Sequence, residues 1–310
     1  MSQTTDTILM IRPVGFRMNE QTAVNNYFQE DLAIKNAEIN TKAQAEFDAF
    51  VERLESVGVN VIVEHDDKLM DTPDSIFPNN WVSFDENGDV ALYPMFAENR
   101  RKERRDEVFI RLEKEGFIIK NIIDYTSAED HGVFLEGTGS LLLDRVNHKA
   151  YCALSDRADE ELVIEFCEDF EYTPIIFTAN QTVDGERLPI YHTNVMMCLA
   201  EKFAVICLDS IDDKKERKNV VKSLKQDGKT IIEITEQQMH QFAGNMLQVR
   251  GFENQRYLIM SQAAHDSLTP SQISQIEDFC PILSSSLETI ETCGGGSARC
   301  MMAEVFLPKA

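Results

Sequence analysis

The sequence predicts an α/β fold, a five-bladed α/β propeller of ββαβ units arranged about a pseudo-fivefold axis. Three observations predict it. Strand-turn-strand patterns recur along the chain, each is followed by a helical candidate and then a short β-rich run, and the recurrence has a nearly constant period. The hairpins are legible in "NNWVSFDENGDVALYPM", "EGTGSLLLDRVNHKAYCALS", "HTNVMMCLAEKFAVICLDS" and "GNMLQVRGFENQRYLIMS". Helical candidates follow near 98–115, 156–169, 211–227 and 270–279, and then come "FIIKNII", "TPIIFT", "KTIIEIT" and "PILSSS". The residues that open successive hairpins are Asn80, Glu136, His192, Asn245 and Cys300, separated by 56, 56, 53 and 55 positions. The fifth unit has only its first strand, "CMMAEVFL". The opening run "TILMIRPV", a helix near 41–57 and "VNVIVEH" supply the rest, so first and last strands are expected to pair and close the ring. One domain over 1–310 is the expected organisation. In "QAEFDAFVERLESVG", Phe47, Phe50, Val51 and Leu54 share one helix face, and Gly58 marks its end.

Composition narrows the function. The 310 residues are 43% apolar, enough for a sizeable core. Acidic residues outnumber basic ones 53 to 30, for a net charge of -23. Such a field repels phosphate backbones, so no nucleic-acid partner is expected. "MSQTTDTILMIRP" has no basic segment followed by an apolar stretch, and no apolar run reaches membrane-spanning length, so neither a secretory leader nor membrane association is expected. The seven cysteines, at 152, 167, 198, 207, 280, 293 and 300, are odd in number and lack C-x-x-C spacing; reduced thiols in a cytoplasmic protein are expected. The six histidines show no metal-ligand spacing, and neither metal nor organic cofactor is expected. The sequence leaves a homo-oligomer open.

In a ring, equivalent positions face one central space. A thiol, an imidazole and a carboxylate then converge there from Cys300, His192 and Glu136, the set that nucleophilic cysteine catalysis requires. A cysteine in an apolar strand is ordinarily a small core residue; the shared period singles out Cys300. Cys293 lies off that period.

At these residues the sequence resembles the guanidino-group-modifying enzyme superfamily of deiminases, amidinotransferases and dimethylarginine hydrolases, whose fold is the five-bladed propeller called the pentein. The matching pieces are "PDSIFPNNW" (73–81), "LEGTGS" (135–140), "YHTN" (191–194) and "GGGSARCM" (294–301), and the resemblance spans nearly the whole chain. It implies Cys300 as nucleophile, His192 as general acid and base, and Glu136 as third catalytic group. It implies substrate contacts from Asp74 and Phe77. It also implies a carboxylate-gripping arginine at Arg157 in "ALSDRAD", with a second at Arg100 or Arg101 in "ENRRKERR", Arg101 being carried forward. Where relatives keep acids, this chain has Asn79, Asn80 and Asn194. A guanidinium needs anionic partners once water is excluded, whereas a neutral ureido group needs donors for its oxygen, which asparagine supplies. The closest overall resemblance is to the citrulline-utilisation hydrolases, and the expected reaction is hydrolysis of citrulline to ornithine, CO2 and ammonia, with Asn245 also lining the pocket. Two alternatives stand beside it: a hydrolase, deiminase or amidinotransferase of arginine or a substituted arginine, for which Asp74 and Glu136 remain as anions, and a non-catalytic propeller that binds a protein partner. The loop 15–30 is a candidate lid.

Overall fold

A computed structural model of the chain describes residues 2–32, 34–67 and 69–310. Its β-structure is divided into small sheets, and five of them, among the described residues, have three strands each. In four, consecutive strands form a hairpin and a crossover returns the chain to a third, parallel strand. These are Val82–Phe84, Asp89–Leu92 and Asn121–Asp124; Leu141–Asp144, Lys149–Leu154 and Thr173–Thr178; Met197–Leu199, Phe203–Ile206 and Thr230–Glu233; and Leu247–Arg250, Arg256–Ser261 and Ile282–Ser285. The fifth sheet joins distant parts of the chain. Thr7–Arg12 runs parallel to Asn60–His65 and antiparallel to Ala303–Glu304, with Leu9 opposite Ala303. First strands of successive units touch: Leu141–Asp144 meets Met197–Leu199, which meets Leu247–Arg250, and Ala303–Glu304 meets Val82–Phe84.

Local chemistry explains the crossovers. Asp159 caps helix Glu160–Asp169 by accepting from the amides of Glu161 and Leu162, and Asp213 does the same for Lys214–Gln226. Thr269 with Gln272 forms a capping box ahead of Pro270–Glu277, with proline at its first position. Helix Asn36–Ser56 buries Ile39, Ala43, Phe47, Phe50 and Leu54 along one stripe, while Val51 is only half-buried. Gly58 follows with φ +89°, and a Cβ there would meet the Phe252 ring at 2.5 Å.

The expected helix over 98–115 is broken in two, a 3-10 turn Arg100–Glu103 and an α-helix Asp106–Lys114, with extended backbone at Arg104 and Arg105. A hairpin, Asn180–Val183 with Glu186–Pro189, precedes His192 and had no separate signal in the repeat. All seven cysteines are buried and none is disulfide-bonded. Among the described residues, no helix is long and apolar enough to cross a membrane.

Candidate active site

Each of the five period positions lies just before its unit's first strand, at a tight turn. Asn80 ends the 3-10 turn Pro78–Asn80, Glu136 precedes the one-turn helix Gly137–Ser140, and His192 precedes Thr193–Met196. Asn245 stands two residues before Leu247–Arg250, and Cys300 three before Ala303–Glu304. All five are at most 3% exposed.

Hydrogen bonds join these turns. The Asn245 amide donates to Cys300 Sγ at 3.2 Å and to the Asn194 carbonyl at 3.0 Å, while its own oxygen accepts from the Arg299 amide. The Asn194 amide lies 3.5 Å from the same sulfur. The thiol is therefore held between two amides. His192 Nε2 is 2.8 Å from Glu136 Oε2, and the other Glu136 oxygen accepts from the Phe96 amide. Arg157 and Arg100 approach Glu136 at 3.5 and 3.8 Å. Burial alone would push the Glu136 carboxyl up, but Arg157 and the His192 hydrogen bond outweigh it and hold it down at about 2. Burial lowers His192 to about 4 against the raising influence of Glu136, so the ring is neutral near neutral pH. A neutral ring facing a carboxylate donates from Nε2, which leaves Nδ1 as the acceptor.

These groups line a small pocket of about 240 Å³ empty space, together with Asn26, Asp74, Phe77, Asn80, Tyr191 and the glycines 294–296. The glycines are needed for close approach. A Cβ on Gly294 or Gly296 would meet the Phe77 ring at 2.9 Å, and one on Gly295, where φ is +61°, would meet the Asn26 amide at 2.6 Å. Asn26 and Gln29 donate to the Gly294 carbonyl, and Tyr191 donates to that of Gly295. The expected lid thus lies over the pocket and is tied to the glycine run. Asp74 accepts from Asn19 and Thr22 through one oxygen, while its Oδ1 is buried without a partner. Burial raises the Asp74 carboxyl, against the opposing influence of Arg100.

Arg157 lies in the pocket with its guanidinium 5.0 Å above the Tyr191 ring. Its Nε donates to the Asn25 side-chain oxygen at 3.0 Å, and its Nη2 donates to that same oxygen and to the Thr22 carbonyl. Arg101 is different. Its guanidinium bonds the Met95 and Phe96 carbonyls and pairs with Glu129 outside the pocket, so the expectation that it faces the site is corrected. In a 3-10 turn positions i and i+3 eclipse, so Arg100 and Glu103 share the inward face and Arg101 does not. Asn79 is fully buried but is not among the pocket-lining residues; its two side-chain polar atoms have no hydrogen-bond partner. Among the described residues, no group of histidine, cysteine and carboxylate side chains is arranged to hold a metal ion.

The family model of eukaryotic N,N-dimethylarginine dimethylhydrolase matches residues 12–307. The chain belongs to this family. It is therefore a hydrolase of the guanidino-group-modifying superfamily, acting at C–N bonds through a cysteine. No curated protein matches it by sequence. Among solved structures it resembles ArgZ, an arginine dihydrolase from the ornithine-ammonia cycle in Cyanobacteria, at 16% identity and TM-score 0.73, covering 98% of this chain and 41% of that one. It thus spans about two fifths of full-length ArgZ. The N-terminal domain of ArgZ bound to substrate matches at 15% identity and TM-score 0.70, covering 97% and 99% of the two chains. A dimethylarginine dimethylaminohydrolase adduct with S-methyl-L-thiocitrulline matches at 13% identity and TM-score 0.62, again covering 97% and 99%. At these identities the likeness establishes the α/β fold of the superfamily.

Two residues of the dimethylarginine hydrolase site had no role in the sequence reading. Glu103 accepts two hydrogen bonds from Arg100, and its signal was the i, i+3 pair in "RRKE". Asn25 lies 132 positions from Arg157, and no local pattern announces that contact.

Proposed function

We propose that this chain hydrolyses the terminal C–N bond of an amino acid with a guanidino side chain, arginine or a substituted arginine. The observation that carries the reading is the unpaired, buried Asp74 Oδ1 in the same pocket as Cys300. An anionic oxygen without a donor needs a cationic N–H group, and arginine carries two such groups, its guanidinium and its α-ammonium. ArgZ, whose fold this chain shares, is an arginine dihydrolase, which supports arginine ahead of the citrulline expected from the sequence.

In the proposed reaction Cys300 Sγ bonds to the guanidino carbon. The thiol proton passes to His192 Nδ1 and on to the departing nitrogen as its C–N bond breaks. The again-neutral ring then takes a proton from water, the water oxygen bonds to carbon, and the C–S bond breaks. Glu136, held ionised, steadies the imidazolium in between. Asn194 and Asn245 orient the sulfur, and Phe77 packs on the substrate's aliphatic chain. Arg157 grips the α-carboxylate after Asn25 and Thr22 release it.

A second reading, citrulline as the substrate taken up, is favoured by Asn80, whose Nδ2 is buried without a partner and suits a ureido oxygen. Purified protein given arginine, dimethylarginine and citrulline in parallel, with citrulline, ornithine and ammonia measured, separates the readings. Arginine turnover without citrulline turnover supports the first alone, and the converse supports the second. Cys300→Ala should lower turnover by about 10⁴-fold or more while binding persists. A Cys300→Ala protein as active as the parent would favour the non-catalytic alternative.

The five sheets are further proposed to close into one ring-shaped domain over 1–310, supported by the pairing of Thr7–Arg12 with Ala303–Glu304. Seven buried unpaired thiols support a reducing compartment. A single cooperative melting transition is the expected signature of one domain.

A further inference from the structure

Arg100 enters the pocket with four of its five N–H groups engaged by the protein itself. Nε and Nη2 donate to the two Glu103 oxygens at 2.9 and 3.0 Å. Nη2 also donates to the Phe77 carbonyl, and Nη1 donates to Asn80 Oδ1 at 2.8 Å. Arginine and carboxylate are both at most 3% exposed. A guanidinium held this way has no fork left for a substrate carboxylate.

The effect falls on Asn80. Arginine has donors only, so an amide facing it must present its oxygen. Its nitrogen is thereby turned the other way, and Nδ2 is buried without a partner. A Cβ on Gly139 would lie 2.4 Å from that nitrogen and 2.8 Å from His192 Nδ1. The amide donor and the imidazole acceptor therefore converge on one space in front of Gly139, in the pocket that also holds Cys300.

We propose that Glu103, acting through Arg100, is a positioning residue that locks the Asn80 amide with its NH2 toward the reacting carbon, so that the pocket favours an oxygen over a nitrogen substituent there. The oxygen is that of a ureido group, or of the tetrahedral adduct once water has added. A guanidinium presents N–H groups on every side and meets the locked NH2 donor to donor. The proposal rests on the reading that this pocket acts at a guanidino or ureido carbon, but not on which of the two enters first. Asp74 and Asn80 then divide the work, one anionic oxygen for a cation and one fixed donor for a carbonyl.

The test compares kcat/KM for citrulline and for arginine in the parent, Glu103→Gln, Glu103→Asp and Asn80→Asp, with circular dichroism confirming the fold of each. In Glu103→Gln the clamp loosens and the amide can turn its oxygen inward. The citrulline-to-arginine ratio should fall by at least about tenfold, with Glu103→Asp restoring part of it. In Asn80→Asp one carboxylate oxygen keeps the Arg100 contact and the other faces the pocket, so the ratio should fall further. This variant leaves the Glu103–Arg100 pair in place and decides the matter if Glu103→Gln does not fold. A parallel fall for both substrates, with the ratio unchanged, would make the relay merely structural and overturn the proposal. If the parent turns over neither substrate, and the Cys300→Ala protein binds neither by calorimetry, the functional reading itself is overturned and the relay with it.

Discussion

Two turns deliver a buried arginine to the same pocket, and they hold it in opposite ways. At 100–103 the arginine is fixed by its own turn: Glu103 takes two of its hydrogen bonds, and Asn80 and the Phe77 carbonyl take two more. At 155–158 the arginine reaches away from its turn and donates to Asn25 and the Thr22 carbonyl, on the segment that covers the pocket. The first set of partners belongs to the frame. The second is oxygens alone, a neutral amide and a carbonyl, that a carboxylate can displace with a stronger charge-assisted contact. Equal burial thus conceals unequal availability, and availability decides which arginine can meet a substrate.

The largest expected effect tests the fixed turn. Arg100→Ala leaves Glu103 buried without its cation, and stability should drop by about 3–5 kcal/mol in chemical denaturation. A loss under 1 kcal/mol would show that Glu103 is satisfied by other means. Next is the available arginine: Arg157→Lys removes the bidentate fork and should raise KM roughly 100-fold with a smaller change in kcat. Equal losses in kcat with KM unmoved would place its role at Glu136 instead. A gentler probe is Asn25→Ala, which removes the internal competitor and should lower KM a few-fold by calorimetry or kinetics. Weaker binding would mean that Asn25 itself contacts substrate.

The smallest effect concerns pH. His192 lies at about 4 when folded, below its ordinary 6.5, so below about 4 it gains a proton and cannot accept one. The acid limb of kcat/KM should therefore fall near 4, not near 6.5. The unfolded chain binds this proton more readily between those values, so the His192 contribution to stability should rise with pH from about 4 to 6.5. Glu291, lifted to about 7 by burial, acts in the opposite sense. Its contribution is fully present below about 4.5 and lost as pH rises through 7. Melting curves of Glu291→Gln against the parent isolate that share, and curves that stay parallel across this window would remove Glu291 from the account.

The strand runs and their period were legible because β-rich segments and turn residues are local signals. Five residues some 55 positions apart could be assigned to equivalent turns on that basis, and they do lie at equivalent turns. What the sequence withheld depends on angles and distance. Which arginine of "NRRKERR" points inward is set by the register of a 3-10 turn, and the choice of Arg101 failed on that ground. The grip of Asn25 on Arg157 joins residues 132 positions apart. The orientation of the Asn80 amide follows from its neighbour having only donors, which no residue count reveals.

The pairing of Thr7–Arg12 with Ala303–Glu304 has a consequence for the order in which the molecule is made. During synthesis the Thr7–Arg12 strand emerges early and finds Asn60–His65 on one side, but its other edge waits for residues made almost three hundred positions later. Until then the nascent protein carries an open strand edge of apolar residues, a hazard for sticking to other chains. The thiol emerges only three residues before the strand that covers that edge. A ribosome that stalls before residue 300 releases a product with an exposed edge and no nucleophile, so incomplete chains are both sticky and silent.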